Sequence, residues 1–143
     1  MKPHNLLCLL TFSLLNTVLL SGCGSGNSVH GLEIKGTVRL DGAPLPTGAI
    51  TFIPMAQGTS IGATISEGRY LIDSSNGALA GEYKVEIDSS QPTGKKVQSS
   101  VGESLEDEFM NVIPEQYNRN SSLKVMLTTD GDQIHDFELK RKP

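Results

Sequence analysis

The sequence predicts an all-β domain, a seven-stranded antiparallel β-sandwich. Three observations lead there. Apolar residues recur at every second position in several short runs, which is the period of a half-buried strand. Turn chemistry separates the runs, as at Asp41-Gly42, Glu67-Gly68 and Asp130-Gly131-Asp132. No long helical repeat occurs anywhere in the body of the chain.

The first run sets Leu32, Ile34, Val38 and Leu40 on one face, with Gly36 in phase, and Glu33, Lys35, Thr37 and Arg39 on the other. Asp41-Gly42 turns the chain, and Pro44 and Pro46 keep the connection out of regular strand. Gly48 to Pro54 reads as the second strand, with Ile50 and Phe52 in phase, and Ile61, Ala63 and Ile65 mark the third. Glu67-Gly68 leads into the fourth, Arg69 to Ile72, and Ser74 to Gly77 is loop. Glu82 to Asp88 is the fifth, with Tyr83, Val85 and Ile87 inward and Glu82, Lys84, Glu86 and Asp88 outward. Leu123, Val125 and Leu127 define the sixth strand, and Phe137 and Leu139 the seventh. Antiparallel strands with one wet face need a second layer over the other, hence the sandwich. The Asp-Gly-Asp run at 130–132 reads as a hairpin turn.

Residues Ser89 to Ser122 break the rhythm. A connection this long in a compact domain is often functional. Glu103 to Asn111 reads as a short helix packed on the sheet edge, with Leu105 and Phe109 at i, i+4 and Pro114 as its stop. Lys95, Lys96 and Tyr117 mark the segment as a candidate interaction loop. Tyr117 is the one tyrosine not spent on a strand, since Tyr70 and Tyr83 both are.

Ahead of the domain, Lys2 supplies a positive start and Leu6 to Leu20 an apolar run, followed by Leu20-Ser21-Gly22-Cys23. The run is short for a membrane span, which takes about 20 apolar residues. The segment resembles the lipobox of bacterial lipoproteins. That resemblance implies a signal peptide over residues 1–22, removal of it, and a mature chain that begins at a lipidated, palmitate-bearing Cys23. The plainer alternative is an ordinary secretory signal. Residues 23–31 then form a tether rich in Gly, Ser and Asn, and 32–143 the domain. Eight flexible residues reach about 16 Å, so the domain sits close to the lipid surface. Gly24, not Asp, follows the cysteine, which favours the outer membrane if the host is Gram-negative.

The formal net charge is −4, and loss of Lys2 with the leader makes the remainder one unit more negative. A mildly acidic domain without a basic stripe is a poor nucleic-acid binder. Cys8 leaves with the leader and Cys23 is modified, so no disulfide is available and packing alone holds the fold.

Chemistry-bearing patterns are thin. Gly58-Thr59-Ser60-Ile61-Gly62 fits the G-x-S-x-G of a nucleophile elbow, but a strand, not a helix, follows Ser60. His30 lies in the tether and His135 at a strand start, too far apart in sequence to suggest a zinc site. His135 reads as a partly buried edge residue. Glu103, Glu106, Asp107 and Glu108 lack the D-x-D-x-D-G spacing of a calcium loop and read as a solvated acidic face. The expectation is therefore no catalytic residue, no metal, no cofactor and no enzyme.

Gly36-Thr37-Val38, Asp41-Gly42-Ala43-Pro44-Leu45-Pro46 and Gly48-Ala49-Ile50-Thr51-Phe52 resemble the opening of carboxypeptidase regulatory-like domains. Gly68-Arg69-Tyr70 and Ala80-Gly81-Glu82-Tyr83-Lys84-Val85 are similar to that family's later Gly-x-Tyr turns. Ile113-Pro114-Glu115-Gln116-Tyr117-Asn118 and Phe137-Glu138-Leu139 are similar to the ends of small bacterial lipoproteins that carry the domain. The resemblance implies a transthyretin-like sandwich and an accessory, scaffolding or surface role. Hydroxyisourate hydrolases share that fold and end in a Tyr-Arg-Gly-Ser tail, whereas this chain ends Lys140-Arg141-Lys142-Pro143. The expected function is a non-catalytic, membrane-anchored module of the cell envelope that contacts other envelope proteins. The alternative is a small-ligand or carbohydrate-binding lipoprotein.

Overall fold

The structure, a computed structural model, describes residues 31–141. Cys23, His30 and the leader lie outside the described residues. The chain is all-β and sandwich-like. Its strands are β1 (Ile34–Leu40), β2 (Ala43–Pro44), β3 (Thr47–Pro54), β4 (Ile61–Ser66), β5 (Arg69–Ile72), β6 (Gly81–Asp88), β7 (Ser90–Gln98), β8 (Leu105–Asn111), β9 (Lys124–Leu127), β10 (Gln133–Ile134) and β11 (Phe137–Leu139). Every strand read from alternation is present. The four further strands are the two-residue β2 and β10, and β7 with β8.

The main sheet runs β10-β1-β5-β4-β3-β6-β9, with β2 and β11 also paired to β1. Flat, seven strands would hold β9 and β10 about 29 Å apart at the usual spacing. Yet Leu127 and Gln133 are joined by only residues 128–132, a reach of about 23 Å at most. The sheet therefore curls into a half-barrel and encloses one core. This corrects the hairpin reading of Asp130-Gly131-Asp132. Gly131 has the positive φ of a turn, 74°, but the loop carries the chain from one sheet edge to the other. Buried Gln133 organises it. Its amide nitrogen lies 3.1 Å from Gly131 O, and its Oε1 accepts from Thr128 N at 3.0 Å.

Phe52 is fully buried at the centre, with Tyr70, Tyr83 and Phe137 ring centroids 6.0, 6.4 and 6.5 Å away. Around this aromatic group pack Ile34, Val38, Ile50, Ile65, Ile72, Val85, Ile87 and Leu139. These are the in-phase residues of the alternating runs. Two-residue turns close the hairpins. Asp41 and Gly42 have φ of 53° and 84°, and Glu67 and Gly68 have 51° and 75°. Positive φ at both central positions matches the right-handed twist of the flanking strands.

The chain returns beside its own start. β10 and β11 pair with β1 in parallel, an exception to the expected antiparallel sheet. Between them the ladder is interrupted, and Asp136 fills the gap. One of its carboxylate oxygens accepts from Thr37 N at 2.7 Å and from Thr37 Oγ1 at 2.8 Å.

The long excursion is neither a bare loop nor a helix. β7 and β8 form a separate two-stranded antiparallel ribbon. The expected helix over Glu103 to Asn111 is corrected: Leu105–Asn111 is strand. A spacing of four falls on one face of a helix and on one face of a strand alike, so Leu105 and Phe109 do not discriminate between them. A short 3-10 turn at Glu115–Tyr117 follows the ribbon.

Candidate interaction surface

Two residues staple the ribbon to the body. Ser89 is buried; its Oγ donates to Thr47 O at 2.7 Å, and its carbonyl accepts from Val112 N at 2.9 Å. Asn111 Oδ1 accepts from Ser89 N at 3.1 Å and Ile113 N at 3.0 Å, while Asn111 Nδ2 donates to Asp88 Oδ1 at 2.8 Å. These bonds satisfy the Ser89 N–H and C=O and the N–H groups of Val112 and Ile113 where the chain departs the sheet.

The registers also fix where the ribbon stands. β1 and β6 run in the same direction, since four antiparallel pairings separate them. The chain enters below β1, where Gly31 N donates to Ser74 O and Leu32 N to Ala78 O. β6 ends at Asp88, at the opposite end, and the ribbon continues from there. Eight residues of β6 span about 26 Å. The ribbon is thus at the opposite end of the body from Gly31, where the described chain begins.

Half of the large apolar side chains exposed among the described residues belong to the ribbon: Val97, Val101, Leu105, Phe109 and Met110. Leu105, Phe109 and Met110 are each more than 60% exposed. One face carries Leu105, Asp107 and Phe109 opposite Gln98, Lys96 and Pro92. The other carries Glu106, Glu108 and Met110. Lys96 Nζ and Asp107 Oδ1 pair at 2.8 Å across the ribbon, an exposed contact that adds under about 1 kcal/mol. Glu106 Oε1 accepts from Ser99 Oγ and Glu108 Oε2 from Thr93 Oγ1, both at 2.6 Å. Hydroxyls orient these two carboxylates, and neither is ion-paired among the described residues.

The three residues expected to form an interaction loop do not form one group. Lys95 and Lys96 are exposed on β7. Tyr117 belongs to the body: it is half-buried, packs against the core, and its hydroxyl accepts from Lys140 N at 3.3 Å. The apolar residues of β8 were missed as a surface because the segment was read as a helix with a buried face. The signal that finds them is period two over Leu105-Glu106-Asp107-Glu108-Phe109, together with Gly102 in the turn before it.

A cleft of about 340 Å³ lies at the base of the ribbon, lined by Glu86, Asp88, Met110, Asn111, Glu115 and Arg119 among others. Its carboxylates are already partnered. Glu86 meets Lys84 at 2.6 Å, Glu115 meets Arg119 at 3.6 Å, and Asp88 receives the Asn111 amide. Tyr117 does not line it. Ser60 is exposed and opens directly into β4, without the following helix that an elbow needs.

His135 and Tyr70 meet where β10 gives way to β11. The Tyr70 hydroxyl donates to His135 O at 2.8 Å, and burial, assisted by the Asp136 carboxylate, pushes the phenol pKa well up. His135 is half-buried, and its Nε2 is shielded from solvent without a hydrogen-bond partner among the described residues. Burial holds its pKa below the ordinary 6.5, with Asp136 opposing.

Compared with known proteins, the chain matches no family model, no curated protein and no solved structure.

Proposed function

We propose that the protein is a cell-envelope lipoprotein, acylated at Cys23, whose sandwich-like domain is a non-catalytic module that contacts other envelope proteins through the β7–β8 ribbon. The observation that carries this reading is the ribbon itself. It is hydrogen-bonded to the body at its base, stands at the end of the body opposite Gly31, and holds half of the large apolar residues exposed among the described residues. Exposed apolar groups gathered on a projecting element are what a protein contact uses. The lipobox-like Leu20-Ser21-Gly22-Cys23 supports the anchor. The similarity to carboxypeptidase regulatory-like domains supports an accessory role, and a Gly after the acylated cysteine supports the outer membrane in a Gram-negative host. The reading is tested with a photo-cross-linking amino acid placed at Phe109 and, separately, at Leu71 on the body of the sheet. In intact cells the Phe109 probe is expected to capture discrete protein adducts and the Leu71 probe none. Equal capture from both positions, or none from Phe109, would contradict the proposal.

A further inference from the structure

The ribbon has two open edges, and they are not alike. The β7 edge is blunted. Pro92 has no N–H, the register shifts between Pro92 and Lys96, and Lys95 and Lys96 place two charges there. Natural sheets use these devices to refuse a further strand. The β8 edge has no proline and no register shift of its own, and its charges, Glu106, Asp107 and Glu108, are all acidic.

Hydrogen bonds at both ends of the ribbon set which β8 amides face outward. Ser99 N donates to Ser104 O at one end, and Val112 N donates to Ser89 O at the other. In an antiparallel ladder, inward and outward groups alternate residue by residue. Counting from either end, the N–H and C=O groups of Leu105, Asp107 and Phe109 point away from β7. Pro92, which has no proton to donate, lies opposite Phe109, as this count requires. β8 pairs only with β7 among the described residues.

Charge selects the strand this edge receives. Glu106 and Glu108 lie on one face, oriented by Ser99 and Thr93 and without a cation among the described residues. Asp107, on the other face, is neutralised by Lys96 and sits between exposed Leu105 and Phe109. Two copies of β8 laid antiparallel about their centre would set Glu108 opposite Glu108, a like-charge pairing that opposes self-association. An anionic lipid surface meets the same repulsion, and the ribbon stands at the end of the body opposite Gly31.

We infer that the outer edge of β8 takes up an extended segment of a partner protein in which basic and apolar residues alternate. Its basic residues lie beside Glu106 and Glu108, its apolar residues lie beside Leu105 and Phe109, and its backbone pairs with the outward groups of Leu105, Asp107 and Phe109. Strand addition of this kind takes affinity from the main chain and specificity from alternate side chains. The inference rests on the interaction-module reading and gives that contact its chemistry.

The test uses the full-length protein in detergent micelles and three capped eight-residue peptides. One alternates lysine with valine, one alternates glutamate with valine, and the third is the lysine peptide N-methylated at alternate backbone nitrogens. The lysine peptide is expected to bind and to slow hydrogen exchange across Leu105 to Phe109. The N-methylated peptide is expected to give no protection. Glu106→Lys with Glu108→Lys is expected to weaken the lysine peptide at least tenfold and to admit the glutamate peptide. Glu106→Gln with Glu108→Gln, a milder change at the same two positions, is expected to weaken the lysine peptide without admitting the other. Binding of the lysine and glutamate peptides alike, binding of the N-methylated peptide, or no protection on β8 would overturn the inference. If the lysine peptide fails while the Phe109 probe still captures protein in cells, this inference falls and the interaction-module reading stands.

Discussion

The carbonyl oxygen of His135 lies against Gly36, so close that a Cβ built on Gly36 would sit 1.9 Å from it. This approach lets the C-terminal strands return beside β1. Any side chain at position 36 would push β10 and β11 off the sheet, taking buried Phe137 and Leu139 with them. Gly36→Ala is expected to cost about 2–3 kcal/mol, the scale of an overpacked core. Urea denaturation followed by circular dichroism measures it, and an unchanged midpoint would show that the contact is soft.

The same carbonyl accepts the Tyr70 hydroxyl at 2.8 Å. Tyr70→Phe keeps the ring against Phe52 and Phe137 but leaves a partly buried acceptor unmet. A loss of about 1–2 kcal/mol follows. The fold should survive, because the aromatic cluster is unchanged. A variant as stable as the parent would mean that water replaces the hydroxyl.

His135 gives the fold a pH dependence whose sign is fixed. Its pKa in the folded chain is below the ordinary 6.5, because burial disfavours the charged ring more than Asp136 favours it. Above 6.5 the ring is neutral in both states and no stability is lost on its account. As pH falls below 6.5 the unfolded chain takes up a proton that the folded chain resists, so stability declines until the folded pKa is reached. Melting temperatures of the parent and of His135→Gln, compared from pH 7.5 to 5.5, should shift relative to each other, with the parent losing more. Parallel curves would assign the acid sensitivity elsewhere.

The residues that alternate were legible, and the reason is physical. β5 begins and ends where Arg69 to Ile72 predicts, because one face is buried and period two is then enforced. β2 and β10 were not legible. Two residues carry no pattern, and only pairing with β1 makes them strand. Asp130-Gly131-Asp132 announced a turn but not its destination, since turn chemistry fixes local φ and says nothing about which edge comes next. Tyr117 looks free in the sequence because, unlike Tyr70 and Tyr83, it lies on no alternating run. Its packing comes from a 3-10 turn that folds back on the core. At the candidate site, the sequence located the unusual segment and two of its lysines but missed the apolar edge, because Leu105 and Phe109 satisfy both periods.

The anchor has its own test. Cys23 is the acyl acceptor in the lipoprotein reading, and a serine there offers no thiol. Labelled palmitate should enter the parent protein and not Cys23→Ser, with the variant recovered in the soluble fraction. Equal labelling of both would place the lipid elsewhere or remove it from the account.

The ribbon carries the central claim, and its removal is the most direct measurement. Replacing residues 91–110 with a short glycine-rich link leaves Ser89 and Asn111 to close the end of the body. Residues 91–110 contribute no member of the buried core, so the shortened protein should melt with the parent's midpoint. Cross-linking in intact cells should then yield none of the adducts formed by the parent. If the shortened protein folds normally and the same adducts persist, the contact lies on the body of the sheet and the account of the ribbon is wrong.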